Sequence, residues 1–177
     1  MKISPTSAGG LMHTLNGFEA LPITVRSAER KDRFTIRAMV YQACLNPFGI
    51  NWKRFIVAEA DGKVIGVRQV KVLKDGTREI ASGVVLPSFR RRGVGTRLME
   101  TLLERESGPL YLMCDGKWAQ YYRRFGFQEV DKKDLPGSFR REHAIMRIVF
   151  EAASRLVLGE EMSLITMKVG GSGEYSR

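Results

Sequence analysis

The segment Arg90–Glu100 (RRRGVGTRLME) contains the residues whose types and spacing most clearly suggest binding chemistry. Three cations precede Gly93 and Gly95, and the apolar residues that follow recur at helical spacing. A glycine-spaced turn before a helix presents main-chain N–H groups at the positive helix end, and the missing Cβ lets a phosphate approach closely. Arginine adds paired donors for phosphate oxygens. The segment therefore predicts an anion site suited to a diphosphate.

Two common phosphate-binding motifs do not fit this segment. A Walker loop requires GxxxxGK[ST], which the residues after Gly93 do not supply. A dinucleotide fingerprint requires a third glycine where Leu98 stands, and a βαβ unit near the chain start. A solvated loop and a nucleic-acid contact remain as alternatives to a phosphorylated ligand.

The elements before the turn predict an antiparallel sheet. Alternating and apolar runs predict a strand at Ile23–Arg26, a helix from Phe34 to about Leu45, and strands at Phe55–Ala58, Val64–Val72 and Thr77–Val85. Asp61-Gly62 and Asp75-Gly76 are hairpin signals, so the last three strands form a meander.

The elements after the turn alternate between helix and strand. We predict a helix from Val94, a strand at Leu110–Cys114, a short helix from Asp115 through Phe125, a strand at Phe127–Val130, a helix after Leu135-Pro136 and a strand at Met162–Val169. An apolar stripe in the last helix is expected to pack on the sheet: Ile145, Ile148, Val149, Ala152, Leu156 and Val157. The fold class is therefore α/β (α+β), with a mixed sheet.

Length and composition predict a single domain. The 177 residues contain 44% hydrophobic and 27% charged residues, which is usual for a globular chain. We place the domain at residues 23–169, between a flexible leader (1–22) and a flexible tail (170–177). No apolar run suggests a membrane span or an export signal, so we expect a cytoplasmic protein. Cys44 and Cys114 are expected to be free thiols, and the two histidines lack metal-ligand spacing, so no metal is predicted.

A formal net charge of +10 favours polyanionic partners. It makes a basic nucleic-acid-binding module the main alternative function. Against that alternative, the aromatic residues are not interleaved with the cations as base-stacking platforms would be.

Three ordered motifs resemble one family. Arg90-x-x-Gly93-x-Gly95 is similar to the [QR]xxGx[GA] acetyl-CoA signature of the GNAT superfamily of N-acetyltransferases. Val85-Leu86-Pro87 resembles the strand end before that signature, and Tyr121–Phe127 (YYRRFGF) resembles the later FYxxxGF segment. The Leu-Pro connection and its helix also resemble small members from cyanobacteria and plastids.

The resemblance implies a fold and a co-substrate. It implies a central sheet of about seven strands whose fourth and fifth strands splay apart around the pantetheine of acetyl-CoA. The main chain at Val84 and Val85 would pair with the pantetheine. The diphosphate would be held by the signature turn, which comprises Arg90, Arg91, Arg92, Gly93, Val94, Gly95 and Thr96.

The resemblance also suggests the catalytic groups. Tyr122 matches the family tyrosine that protonates the leaving thiolate, whereas Tyr121 and Phe125 are expected only to pack. Glu79 occupies the register of the glutamate base in the histone-acetyltransferase branch. Strand alternation would place Thr77, Glu79, Ala81, Gly83 and Val85 on one face, with the carboxylate of Glu79 directed into the cleft. Direct attack needs no covalent nucleophile, so Cys114 is expected to be a small buried side chain.

The acceptor remains open at this stage. Residues 43–52 and 132–159 are expected to shape the acceptor site, and a protein, peptide or small amine would each fit. A CoA-binding regulator without turnover is a further alternative. The protein is expected to be a monomer or a homodimer.

Overall fold

The sheet predicted from the sequence has seven strands in the structure, a computed structural model that describes residues 22–153 and 163–170, with side chains through residue 148 in the first range. The strands are β1 (Thr24–Ser27), β2 (Phe55–Ala60), β3 (Lys63–Val72), β4 (Arg78–Val85), β5 (Leu110–Asp115), β6 (Gln128–Glu129) and β7 (Leu164–Val169). The α-helices in these ranges are α1 (Arg33–Gln42), α2 (Val94–Arg105), α3 (Ala119–Arg123) and α4 (Gly137–Ala153). The predicted leader and most of the predicted tail lie outside the described residues.

The strand order is β1-β2-β3-β4-β5-β7-β6, and the β4–β5 pair is the parallel one. The predicted meander is confirmed, since β2, β3 and β4 pair antiparallel in succession. Its first turn has left-handed backbone angles at both Asp61 (φ 49°) and Gly62 (φ 68°). Those angles match the right-handed twist of the flanking strands, which is why Asp-Gly is favoured at this point.

Helices cover both faces of the sheet. The face packed against α2 and α3 is called the α2 face, and its cluster includes Ile56, Leu98, Leu112 and Phe127. The opposite face, called the α1 face, carries a second cluster with Ile36, Val57 and Val67, and a smaller one beneath α4 with Tyr111, Leu135 and Phe139. The alternation of β2 and β5 between these clusters follows from the two-residue repeat of a strand.

The predicted packing stripe of α4 is wrong where the structure describes it. Ile145 and Ile148 are 62% and 65% exposed. The helix instead packs through Phe139 and His143, which are 0% and 3% exposed and one turn apart. The helical repeat alone does not decide whether the side with Phe139 or the side with Ile145 and Ile148 faces the sheet. The side chains of Val149, Ala152, Leu156 and Val157 lie outside those that the structure describes.

Within the two described ranges, no helix is long and apolar enough to cross a bilayer.

A partly buried ion network joins β1 to the start of α1 and leads to a stability prediction. Arg26 Nη1 donates to Asp32 Oδ2 at 2.7 Å, and Arg26 Nη2 donates to Glu59 Oε2 at 2.5 Å. Asp32 is 4% exposed, so Arg26→Met leaves a buried carboxylate without its cation. We expect a loss of about 3 kcal/mol in the free energy of unfolding, measured by urea titration at pH 7.

The pH dependence and a control identify the cause of that loss. The hydrogen bond from Arg26 lowers the pKa of Asp32 below its ordinary value of 3.8, so the stabilisation is present above that value and is lost as the pH falls through the folded-state pKa. The cost of Arg26→Met should therefore shrink in acid. Lys31→Met removes only the exposed ion pair with Glu29 and should cost about 0.5 kcal/mol or less. Equal losses for the two variants would contradict this account.

Candidate active site

A gap between β4 and β5 begins in the middle of the sheet. The two strands are paired at Arg78–Leu110 and Glu79–Tyr111, and the described residues of β4 beyond Glu79 have no partner on β5. From Ile80 to Val85, β4 remains paired with β3 on its other edge. The predicted splaying of the fourth and fifth strands is confirmed, and it leaves the β5-facing edge of β4 open to a ligand.

A β-bulge in β4 changes which face its side chains occupy. Gln69 pairs with Ala81 and Val67 with Val84, so Arg68 lies opposite two residues, Ser82 and Gly83. Ser82 has a φ of 53°, in the left-handed region. An extra residue in one strand shifts its alternation by one position.

The bulge makes the predicted common face of Glu79 and Val85 wrong. Before the bulge, Ile80 packs in the α2-face cluster, so Glu79 lies on the α1 face. After the bulge, Val84 packs in the α1-face cluster and Val85 against the α2-face cluster. Glu79 and Val85 therefore lie on opposite faces of the sheet, although their spacing in the sequence is even.

The arginine and glycine turn ends at α2 with free amide groups. Arg91 (φ 61°) and Gly93 (φ 77°) both have left-handed backbone angles, which in a non-glycine residue is uncommon. Within the described ranges, the main-chain N–H groups of Arg91, Arg92 and Gly93 have no main-chain or side-chain acceptor, and the first turn of α2 from Val94 is uncapped by any side chain. Successive free amides of this kind form an anion-binding concavity.

Arg90 differs in position from its two neighbours. Its Nε donates to the main-chain oxygen of Val85 at 3.1 Å, which holds the guanidinium against the end of β4. Arg92 lies over the Phe89 ring with 5.7 Å between the guanidinium carbon and the ring centroid. The structure thus brings the predicted cofactor-binding residues together at the open end of the gap, with Val84 and Val85 at its edge.

Both tyrosines of the YYRRFGF segment lie on the α2 face. Tyr122 is half-buried, and its ring contacts those of Tyr121 and Phe127 at centroid distances of 5.0 and 6.0 Å. Tyr121 packs against Tyr122 and Phe125, as expected, and its hydroxyl also lies close to Gly95, where an added Cβ would be 3.3 Å away. That hydroxyl therefore sits at the N-terminus of α2. Burial is the largest influence on the pKa of Tyr121 and raises it, while the nearby Arg68 lowers it.

A buried acid–base group lies on the α1 face, beneath α4. Glu79 is 4% exposed, and its Oε2 is 3.8 Å from Lys71 Nζ. Burial raises the pKa of Glu79 to about 7, with Lys71 opposing the rise and Glu142 of α4 adding to it. A carboxyl group with a pKa near neutrality can exchange a proton at working pH, as a general base must.

The two segments expected to shape an acceptor site cover this group. The Lys71 side chain runs beneath the 43–52 segment, where a Cβ on Gly49 would lie 3.4 Å from its Cε. From the other side, α4 brings Glu142 to the Glu79 carboxyl. Glu79 Oε2, Glu142 Oε2 and Gln69 Oε1 are buried without a hydrogen-bond partner among the described residues. Unsatisfied buried acceptors of this kind are suited to a ligand that brings donors.

Cys114 has no nucleophilic role in this arrangement. It is 8% exposed, and burial raises the pKa of its thiol to about 12, so the reactive thiolate is absent at neutral pH. Cys44 is exposed, and both thiols are free as predicted. In the part of the chain that the structure describes, no three metal-ligating side chains of the His, Cys, Asp or Glu type come together. The absence of a metal stays a prediction.

Sequence reasoning missed Lys71, Glu142 and Tyr121. No motif marks Lys71 or Glu142, and Tyr121 lies in the YYRRFGF segment but was expected only to pack. Each reaches the site through tertiary packing: Lys71 across a strand pair, Glu142 from a distant helix, and Tyr121 by contact with another helix. For Lys71, the one available signal was its even spacing from Val67 along β3, which places both residues on the same face of the strand.

Comparisons with known proteins agree with this geometry. Residues 51–129 match a family model described as an acetyltransferase (GNAT) domain, which covers the meander, the turn and the YYRRFGF segment. The chain is 28% identical over 92 residues to a Chlorobaculum tepidum protein named "Uncharacterized N-acetyltransferase CT2212". The matched region covers 50% of this chain and 58% of that relative.

Solved structures have the same fold at low sequence identity. N-acetylglutamate synthase from Neisseria gonorrhoeae, complexed with coenzyme A and N-acetyl-glutamate, is 17% identical with a TM-score of 0.64; the match covers 86% of this chain and 36% of that one. Rv2747 from Mycobacterium tuberculosis, in complex with CoA and NLQ, is 20% identical with a TM-score of 0.60 and coverages of 84% and 99%. The ribosomal-protein-S18-alanine N-acetyltransferase of Escherichia coli is 18% identical with a TM-score of 0.57 and coverages of 87% and 98%.

Proposed function

We propose that the chain, whose residues 51–129 match an acetyltransferase (GNAT) domain model, is a member of the GNAT superfamily of N-acetyltransferases and transfers the acetyl group of acetyl-CoA to a primary amine by direct attack. The observation that carries this proposal is that the gap between β4 and β5 and the free amides of the turn lie next to each other. The open edge of β4 leads to the free amides of Arg91 to Gly93 at the start of α2. The amides suit a diphosphate, and the strand gap suits the pantetheine arm attached to it.

The residues of the turn would bind and orient acetyl-CoA. Main-chain N–H groups from Arg91 to Thr96 would donate to the diphosphate, with the guanidinium groups of Arg90, Arg91 and Arg92 nearby to balance its charge. The edge of β4 at Val84 and Val85 would hold the pantetheine. Holding the thioester in one orientation converts a bimolecular reaction into one between positioned groups, which is a large part of catalysis.

Two side chains would move the protons. Glu79, with its pKa raised to about 7, would take a proton from the acceptor amine on the α1 face. The proton removed is that of the acceptor's ammonium group, so the neutral nitrogen can form a bond to the carbonyl carbon. The C–S bond then breaks with its electron pair remaining on sulfur, and the new amide nitrogen releases its second proton to solvent. Tyr122, on the α2 face, would give its proton to that sulfur and regain one from solvent.

The opposite positions of Glu79 and Tyr122 suit this assignment. The amine approaches from the side covered by α4 and the 43–52 segment, whereas the sulfur leaves on the side of α2 and α3. The bulge at Ser82 lies between the two groups along β4. The acceptor would be a protein, a peptide or a small amine that reaches the buried carboxylates of Glu79 and Glu142.

An acceptor screen tests the proposal. Acetyl-CoA at a hundred times its Kd should stabilise the protein by ~2.7 kcal/mol in a melting experiment, and a panel of amines should release free CoA thiol. Tyr122→Phe should lower kcat by about 100-fold and leave acetyl-CoA affinity unchanged, because the proton donor is lost. Tyr121→Phe removes a hydroxyl near the first turn of α2 and should instead weaken acetyl-CoA binding.

Each contrary outcome has a distinct meaning. An unchanged melting curve with acetyl-CoA would overturn the proposal, and competition of nucleic acid with acetyl-CoA would favour the nucleic-acid alternative. Tight binding without turnover on any amine would favour a CoA-binding regulator. Equal rates for Tyr122→Phe and the wild type would remove Tyr122 from the reaction.

A further inference from the structure

Arg68 of β3 is a buried cation without an anionic partner. It is 7% exposed, and no carboxylate of the described residues forms an ion pair with it. Its Nη1 contacts the sulfur of Met99 at 3.7 Å, and its Nε has no hydrogen-bond partner there. A buried charge without a counterion is costly, so the fold retains this guanidinium at the expense of stability. Packing alone would be served better by an apolar side chain.

The guanidinium crosses β4 at the bulge. A Cβ on Gly83 would lie 2.5 Å from Arg68 Nη2 and 2.8 Å from Cζ, so a side chain at this position would displace the guanidinium from where it lies. On the far side of β4, the Arg68 Cζ lies 5.8 Å from the centroid of the Tyr122 ring. Arg68 therefore extends from β3, over the backbone of β4, to Tyr122 of α3. That is the space in which β4 and β5 have separated.

We propose that Arg68 is an anion subsite within this gap, and that its ligand is the sulfur of CoA as it becomes a thiolate. The inference rests on the proposed function, because it assumes that the pantetheine arm enters between β4 and β5. When the C–S bond of the thioester breaks, the electron pair stays on sulfur, and the guanidinium stabilises that charge without giving up a proton. The proton that completes the thiol comes from Tyr122, over whose ring the guanidinium lies.

Arg68 also explains two neighbouring residues. Gly83 is needed because any side chain there would occupy the path of the guanidinium. Tyr122 is the aromatic face against which an unpaired guanidinium is favourably placed. Arg68, Gly83 and Tyr122 thus lie together at the inner end of the gap, where Arg68 supplies a positive charge. The amides of the turn lie at its outer end.

The proposal is tested by the ionisation of bound CoA. The probes are CoA and desulfo-CoA, which lacks the sulfur, and their Kd values are measured by calorimetry between pH 6 and pH 9. A cation beside the sulfur lowers the pKa of the bound thiol. For each pKa unit by which it is lowered, CoA at high pH binds about tenfold more tightly relative to desulfo-CoA. For the wild type we expect the preference for CoA over desulfo-CoA to grow about tenfold across this range.

Two variants separate the charge from the packing. Arg68→Met keeps an apolar side chain and removes the charge. Its preference for CoA over desulfo-CoA should therefore no longer increase with pH, while its melting temperature stays equal to or above that of the wild type. Arg68→Lys retains a cation and should restore part of the growth. The absorbance of bound thiolate in the ultraviolet gives the same pKa independently of affinity.

The outcomes distinguish this inference from the proposed function. If Arg68→Met and the wild type show the same pH dependence, Arg68 does not hold the sulfur, although CoA binding and acetyl transfer still stand. The same conclusion follows if the wild type binds CoA and desulfo-CoA equally at every pH. If the wild type binds neither probe, both proposals are overturned.

Discussion

Gly95→Val is expected to weaken acetyl-CoA binding by about 100-fold, or ~2.7 kcal/mol. Gly95 lies in the first turn of α2, where an added Cβ would be 3.3 Å from the Tyr121 hydroxyl and 3.9 Å from Val85 Cγ2. The methyl groups of valine would therefore project between α2, α3 and the end of β4. That is where the diphosphate would approach the free amides under the proposed function. The measurement is calorimetry with acetyl-CoA.

Gly137→Val is the matched control for that prediction. Gly137 is also in the first turn of a helix, α4, and an added Cβ there would meet no atom within 4 Å. Valine has the same helix propensity at both sites, so the two variants differ mainly in what surrounds the new side chain. Gly137→Val should bind acetyl-CoA as the wild type does. A folded Gly95→Val protein whose Kd lies within about threefold of the wild type would place the diphosphate elsewhere.

Glu79→Gln is expected to lower kcat/KM for the amine by about 100- to 1,000-fold. The substitution keeps the size of the side chain and removes its ability to accept a proton. In the wild type, kcat/KM should rise with pH and level off above about 7, because the pKa of Glu79 is raised to about 7 and only its ionised form is a base. In Glu79→Gln, the rise of kcat/KM around pH 7 should disappear. Steady-state kinetics between pH 5.5 and 9 is the measurement.

The neighbours of Glu79 provide controls of opposite sign. Glu142 raises the pKa of Glu79, so Glu142→Gln should move the rise in kcat/KM to lower pH. Lys71 lowers that pKa, so Lys71→Met should move the rise to higher pH. Both variants should keep a rise. If Glu79→Gln retains the wild-type pH profile, another group or a water molecule takes the proton.

The same pKa has a consequence for stability. A carboxyl group whose pKa is raised on folding, here from 4.5 to about 7, keeps its proton in the folded state where the unfolded chain has lost it. Its contribution therefore becomes less favourable as the pH rises between those two values. Glu79→Gln should accordingly gain stability relative to the wild type over this interval. Urea titrations at pH 5 and pH 8 would show the gain even where activity is absent.

The fold was predictable because its signals are local. Asp61-Gly62 ends one strand and begins the next since both residues accept left-handed angles. The apolar spacing of α2, with Leu98 and Leu102 buried on one side, is set by the helical repeat. The arginine and glycine turn could be recognised from residue types alone, because a close phosphate contact needs glycine and the start of a helix.

The site was only partly predictable because its key feature is not local. The bulge follows from how β4 pairs with β3, and Ser82 is not a residue type that marks a left-handed position. Without the bulge, even spacing would have put Glu79 and Val85 on one face. In the sequence Arg68 is one more strand residue, and only the structure shows that it is buried and has no carboxylate partner among the described residues.

The bulge shifts the alternation of β4, so that Glu79 faces the layer beneath α4 whereas Val85 faces the layer of α2. A substitution at one of these two positions therefore does not directly alter the layer that the other one faces. Under the proposed function, a variant that kept Glu79 and Val85 and changed Ala81 would retain its acyl donor and its base while altering the acceptor side. The inserted residue thus allows the acceptor side of β4 to change without changing the side proposed to hold the acyl donor.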